Sequence, residues 1–223
     1  MRTTVLAFFS LALAACSSAP VATIATFQHS FEECAVGASP DSMQQFDTGP
    51  SVTAAQWKAQ QGGAGGSGQC LQATAGRSTG EQFHLALTAS PIASRDVRLS
   101  VRIHADGGRE DQGGGLVWRA QNQSTYYVTR WNPLEDNVRI YHVKDGVRTM
   151  LQTAKVIVPA DAWHLLEVTS LGGEHKVMFD GKEILSIEDT TIGQAGKAGL
   201  WTKADAATWF DDFAVQPLAP GRR

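Results

Sequence analysis

Polar and apolar residues alternate with period two along much of the chain. The clearest case is Asp96–His104, where Val97, Leu99, Val101 and Ile103 interleave with Arg98, Ser100, Arg102 and His104. Successive side chains of an extended strand point to opposite faces, so this segment is a half-buried strand. Further strands are predicted at 82–88, 114–119, 126–131, 137–143, 147–154, 164–170, 176–179, 182–187, 198–202 and 209–216. Lys144-Asp145-Gly146 and Phe179-Asp180-Gly181 are hairpin signals between β-formers. Residues 40–51 and the tract Gly62-Gly63-Ala64-Gly65-Gly66-Ser67-Gly68 read as loops. No helical period runs longer than a turn or two. Many short strands separated by turn residues point to an all-β sandwich.

Parity assigns the faces. Leu116 and Trp118, Val138 and Ile140, Ala198 and Leu200, and His164, Leu166 and Val168 should meet the core. Val117 and Arg119, Arg139 and Tyr141, and Trp201 and Lys203 should lie on the opposite faces. His164, following Trp163, reads as a packed imidazole. Trp57, Trp118 and Trp163 read as packing residues.

The first residues break this pattern. Arg2 precedes an apolar run from Val5 to Leu13, closed by Ala14-Ala15-Cys16. A charged start, a short apolar core and small residues form an export signal. The run is shorter than the roughly 20 residues that cross a bilayer. Leu13-Ala14-Ala15-Cys16 also looks like a lipobox, which makes Cys16 the lipidated first residue of an envelope protein, with Ser17 pointing to an outer membrane. Ala12-Leu13-Ala14 fits ordinary signal peptidase as well; a Cys at that position favours lipidation. The resulting organisation is a signal peptide over 1–15, a lipid-anchored flexible tether over 16–26, one domain over 27–217 and a tail over 218–223.

Three Cys occur in the chain. With Cys16 lipidated, Cys34 and Cys70 remain in an oxidising compartment, where a disulfide between them would persist; two unpaired thiols are the alternative. At 223 residues, 43% of them apolar, the chain has material for one sandwich core. A formal net charge of −3 gives no reason to expect nucleic acid as a partner. The six His show no His-x-x-x-His spacing, the glycine tract is followed by no Lys-Ser/Thr, and no Gly-x-Ser-x-Gly elbow is present.

From Phe83 onward a set of motifs carries a resemblance. In order these are Asp111-Gln112-Gly113-Gly114-Gly115-Leu116-Val117-Trp118-Arg119, the run from Tyr126 to Tyr141, Trp163-His164, Phe179-Asp180-Gly181-Lys182, Gly199 to Asp205, and Phe210-Asp211-Asp212-Phe213. They resemble exported bacterial proteins of the concanavalin A-like lectin/glucanase superfamily, nearest to LamG-like modules and to the 3-keto-disaccharide hydrolase domain. The resemblance implies a jelly-roll sandwich of two antiparallel sheets with a concave sugar groove. It also implies a structural Ca²⁺ where the terminal strands meet, with Asp212 as a ligand and Glu32-Glu33 nearby; solvated surface charge is the plainer reading. The Glu-x-Asp-x-x-Glu string of the family 16 glucanases is absent.

On that groove the resemblance makes Arg119, Arg130, Asn132, Asn137, Arg139, Tyr141, Trp201 and Lys203 ligand-binding candidates; parity puts Arg119, Arg139, Tyr141, Trp201 and Lys203 on non-core faces, while the strand of Arg130 is apolar on both. Aromatic rings stack on sugar faces, and Arg and Asn bond hydroxyls or carboxylates. The same Arg residues could instead pair with Glu135 and Asp136 and serve stability alone. Three functions follow. The first is an envelope lipoprotein that binds carbohydrate. The second is a glycoside hydrolase or lyase of the keto-disaccharide type, with Glu135 or Asp136 as general acid or base. The third is a structural or adhesion module of the envelope.

Overall fold

The computed structural model describes residues 26–50 and 53–219. Cys16, the signal segment and nearly all of the tether lie outside them. The described residues form two antiparallel sheets. The first runs, in spatial order, β13 (Lys182–Glu188), β12 (Glu174–Phe179), β11 (His164–Leu171), β6 (Val97–Gly107), β15 (Ala207–Pro217), β4 (Gln69–Thr74) and β3 (Gln56–Gln61), with β1 (Phe27–His29) also paired to β15. The second runs β10 (Val147–Lys155), β9 (Asn137–Lys144), β8 (Thr125–Asn132), β7 (Gly114–Asn122), β14 (Lys197–Lys203), β5 (Phe83–Thr88) and β2 (Met43–Thr48). They pack face to face as a jelly-roll sandwich.

Every strand anticipated from Gln82 onward is present. Both Asp-Gly hairpins turn as their residues require: φ is positive at Asp145 (52°) and Gly146 (82°), and at Asp180 (49°) and Gly181 (76°). One expected loop is a strand instead. Met43–Thr48 pairs with β5 at the sheet edge, Phe46 opposite Leu85. Its sequence, Met-Gln-Gln-Phe-Asp-Thr, lacks apolar alternation because much of an edge strand faces water and is held by backbone hydrogen bonds.

The core between the sheets follows the parity. Leu99, Val101 and Ile103 meet Leu116, Trp118, Ile140 and Leu200, all fully buried. Trp118 stacks on Tyr127 with ring centroids 5.5 Å apart. His164 is buried and held at both ring nitrogens, by Asp180 Oδ2 at 2.7 Å and the Pro159 carbonyl at 2.8 Å. Trp57 is buried, whereas Trp163 lies half-buried beside His104.

The expected Cys34–Cys70 bridge is not formed; both are free thiols. Cys34 sits in the turn after β1 with Sγ facing His29 Nε2 at 4.0 Å. Cys70 is fully buried in mid-strand on β4. Burial first, then the neighbouring Asp211, Asp106 and Glu32, push its pKa up to about 12, which leaves it an inert thiol.

A second apolar cluster lies on the other face of the β10–β2 sheet, away from the sandwich core. It contains Phe83, Leu85, Leu87, Val117, Tyr126, Val128, Tyr141, Val143 and Trp201. An outer sheet face with a buried apolar cluster means that the sheet folds over on itself. Arg148 on β10 and Phe83 on β5 are five strand spacings apart, roughly 24 Å in a flat sheet. Yet the Arg148 guanidinium carbon lies 4.9 Å from the centroid of the Phe83 ring. The curl closes a groove and turns its floor into a second core.

Candidate functional site

The pairing register lays out the groove. Phe46, Leu85, Trp201, Gly115, Arg130 and Arg139 are successive partners across six strands, so their side chains share one face. The adjacent row runs Leu87, Gly199, Val117, Val128, Tyr141 and Met150. Gly115 is required in the floor, since a Cβ there would lie 1.7 Å from the Thr129 carbonyl oxygen.

One corner of this face is polar, and the turn between β8 and β9 builds it. Asn132 ends β8 in an extended conformation, and its Oδ1 accepts from the backbone N–H of Leu134 (2.9 Å) and Glu135 (3.3 Å). Pro133 starts a single 3-10 turn, which closes at Asp136 with φ 53°. An Asn cap followed by Pro is a local sequence instruction for such a turn. It returns the chain so that Glu135 reaches back over the strands. Glu135 Oε2 accepts from Arg130 Nη2 at 2.9 Å, Arg139 Nη1 at 2.8 Å and Asn137 Nδ2 at 3.1 Å. Asn137 Oδ1 accepts from Arg130 Nη1 at 2.9 Å. Next to this lies Asp111, which takes Asn132 Nδ2 at 2.9 Å and Lys203 Nζ at 3.3 Å.

Seven of the eight ligand-binding candidates therefore face one groove: Arg130, Asn132, Asn137, Arg139 and Lys203 at its polar corner, and Tyr141 and Trp201 in its floor. Arg119 does not. It follows a bulge in β7, with φ 50°, and turns into the end of the sandwich. There it donates to the carbonyls of Arg95 (2.9 Å), Ile192 (2.9 Å) and Gly172 (2.7 Å) and pairs with Asp96 at 3.5 Å. Parity fails at Arg119 because a bulge inserts one residue and resets the alternation.

Trp201 and Tyr141 are also not the exposed platform expected of them. Trp201 is 1% exposed, stacked on Phe83 with centroids 5.6 Å apart, and its Nε1 donates to Tyr126 Oη at 3.3 Å. Among the described residues no aromatic ring ranks with the large exposed apolar side chains; two of those, Leu134 and Met150, flank the groove.

Electrostatics separate the carboxylates. Burial works against the charge of Glu135, but hydrogen bonds from Arg130 and Asn137 and the charges of Arg130 and Arg139 outweigh it and bring its pKa to about 2. A carboxylate so acidic is unprotonated at neutral pH and weakly basic, unsuited to general acid–base work. Asp136 is exposed at the turn's cap, with its backbone carbonyl accepting from Val156 N at 2.8 Å. Asp111 is the opposite case: it is buried, and desolvation raises its pKa against the pull of Arg130 and Lys203. Sequence reading did not single it out, although it stands at the head of the Gly113-Gly114-Gly115 motif. Its loop is clamped by Asp205, whose carboxylate accepts from the backbone N–H of Arg109 (2.8 Å), Glu110 (2.9 Å) and Asp111 (3.1 Å).

Asp212 lies far along the other sheet, at a bulge in β15, paired with Arg102 at 3.4 Å. The neighbouring Asp211 accepts from Ala64 N and Asp212 N, and Glu32 accepts from Gln69 N. Among the described residues no group of three or more His, Cys, Asp or Glu converges. A Ca²⁺ ion takes six to eight oxygens. Asp212 and Glu33 stay largely exposed, at 60% and 68%, beside these pairings.

No protein-family model matches the chain, and no curated protein matches it. Solved structures do. The carbohydrate-binding module CBM66 from Bacillus subtilis is 19% identical, with 76% of this chain and 94% of that one covered at a TM-score of 0.60. The exoplasmic/lumenal domain of VIP36 in its Ca²⁺/Man3GlcNAc-bound form is 12% identical, with 76% and 85% covered at 0.55. A Bacillus subtilis protein of unknown function with a galectin-like fold is 12% identical, with 75% and 90% covered at 0.52. Strand order, two antiparallel sheets and these likenesses agree: the chain folds as a concanavalin A-like jelly-roll sandwich.

Proposed function

We propose that this protein binds carbohydrate, through the polar corner of the groove formed by Arg130, Glu135, Asn137, Arg139, Asp111 and Lys203. The observation that carries the reading is the preorganisation of that corner. Its charged groups are locked by one another while Arg139 remains 30% and Glu135 41% exposed, so donors and acceptors meet a ligand without first being ordered. A sugar hydroxyl, both donor and acceptor, complements such a surface. Leu134 (51% exposed) and Met150 (53% exposed) offer aliphatic contact at the lip in place of an aromatic platform. The similarity to CBM66 and to glycan-bound VIP36 supports the same reading. A structural Ca²⁺ with Asp212 as a ligand, away from the groove, belongs to the same proposal and draws its support from the likeness to the Ca²⁺-bound VIP36 domain.

Arg139→Ala tests the site. On a glycan array the wild-type protein should retain a set of glycans that the variant loses, at nearly unchanged melting temperature. Equal retention by both proteins would remove the corner from the binding surface.

A hydrolytic reading, in the sense of the keto-disaccharide resemblance, draws support from one observation only: Asp111 is a groove carboxylate whose pKa is raised by burial. Release of reducing sugar by the wild type and not by Asp111→Asn is the result that would establish it. Export and anchoring through Cys16, to the envelope and an outer membrane, complete the proposal. Cys16→Ser should leave the precursor unprocessed and release the domain from the membrane fraction; normal membrane retention of that variant would refute anchoring.

A further inference from the structure

On the same face, next to Lys203 of the polar corner, lies a cavity of about 370 Å³, lined by Phe83, Tyr126, Val143, Glu81, Ser124 and Arg148 among others. Its volume falls within the range of small-molecule sites. The wall is apolar and rigid. Phe83 is stacked on Trp201, and Tyr126 Oη is fixed by Trp201 Nε1.

The cationic group at this cavity is Arg148. Its guanidinium carbon lies 4.9 Å from the Phe83 ring centroid and 4.8 Å from that of Tyr141, so it is gripped between two rings and positioned before any ligand arrives. Among the described residues only its Nη2 has a hydrogen-bond partner. That partner is Glu81, at 3.2 Å to Oε1 and 3.1 Å to Oε2. Glu81 is 59% exposed, and Lys203 Nζ also approaches it, at 3.8 Å. Two cations thus converge on one solvated, weakly held carboxylate at the mouth of a cavity. Gly49, with φ 113°, permits the close approach of the β2 end to this segment, since a Cβ there would lie 2.2 Å from the Glu81 carbonyl oxygen.

Glu81 is well solvated, and a carboxylate that water already reaches is exchanged for another at little cost. A planar guanidinium lining a cavity, with one edge unpartnered by protein among the described residues, can take a carboxylate by two parallel hydrogen bonds. We infer that this cavity is the subsite for a carboxylate-bearing sugar unit, in which Arg148 takes the ligand's carboxylate and Glu81 is the internal stand-in that it displaces. The inference rests on the groove reading above and specifies the ligand class: glycans with a hexuronic acid or similar acidic residue, its ring against Phe83 and Tyr126.

The test measures binding of the purified full-length protein to three oligosaccharides of one backbone, ending in glucuronic acid, in its methyl ester, or in glucose. The acid should bind at least about tenfold more tightly than the other two, the scale of a charge-assisted hydrogen bond. Arg148→Gln should reduce the acid to the level of the ester. Glu81→Gln, at an exposed position, should strengthen binding of the acid several-fold by removing the competitor. Equal affinity for acid and ester, or undiminished acid binding by Arg148→Gln, would overturn the inference. If Arg148→Gln fails to fold, acid binding by Glu81→Gln that is unchanged or weaker overturns it alone. Neutral glycans bound through Arg139 with no preference for the acid would remove this subsite and leave the groove reading standing. A protein that retains no glycan at all would remove both.

Discussion

Replacing Trp201 by alanine measures whether the groove floor is core or binding surface. The ring is 1% exposed and sits in the second apolar cluster. Truncating a buried Trp costs about 3–5 kcal/mol through lost burial and the cavity left behind. The stacking with Phe83 adds about 0.5–1.5 kcal/mol, and the hydrogen bond to Tyr126 Oη about 0.5–1.5 kcal/mol. These contributions overlap, so a total of about 4–6 kcal/mol is reasonable against a domain stability of roughly 5–15 kcal/mol. For a domain of this size each kcal/mol moves the melting temperature by about 2–4 °C, which puts the variant some 8–24 °C below wild type. Urea unfolding followed by far-UV circular dichroism reads the same loss as a lower midpoint. Trp201→Phe, which keeps a stacked ring and loses the Nε1 donor, should lie between the two. A Trp201→Ala protein that melts within 3 °C of wild type, and loses glycan binding alone, would show that the ring faces an open cleft and that the sheet does not curl over it.

Glu135 has a folded-state pKa of about 2, below its ordinary value near 4.5. Its contribution to stability is therefore present above pH 4.5 and lost as pH falls towards 2; in Glu135→Gln the stability–pH curve should be flatter across that window, and an unaltered slope would refute the Arg130–Glu135–Arg139 cluster. Cys34 and Cys70 should appear as unlinked peptides in non-reducing mapping, with a melting temperature indifferent to dithiothreitol, and the buried Cys70 should react with thiol reagents only on unfolding. Asp205→Ala removes three hydrogen bonds from the loop before β7, so amide exchange at Arg109–Asp111 should accelerate and global stability should fall by about 1–3 kcal/mol. Exchange at wild-type rates would contradict the clamp.

The period-two pattern by itself determined the strand content from Gln82 onward, because a strand with one face in the core must alternate. Val97 to Ile103 could hardly read otherwise. The two Asp-Gly hairpins were equally legible, since positive φ at both turn positions leaves few residue choices. Asn132-Pro133 likewise dictates a local turn, and that turn is what carries Glu135 to the two arginines. Met43–Thr48 escaped notice because an edge strand half in water needs no apolar alternation, only a partner for its backbone. Other features belonged to the tertiary structure alone. Parity can say that Trp201 points away from Leu200; it cannot say whether the space it enters is water. The coiling of the six strands from β10 to β5, which brings Arg148 over Phe83, decides that, and coiling is a sum over many small twists that no single segment encodes. The bulge at Arg119 is of the same kind, because one extra residue in the β7 register reverses every later face. Asp111 acquired its raised pKa only when the fold buried it, against the opposing pull of Arg130 and Lys203. Local sequence determines which residues form strands and turns, but exposure and charge state depend on groups brought together from distant strands.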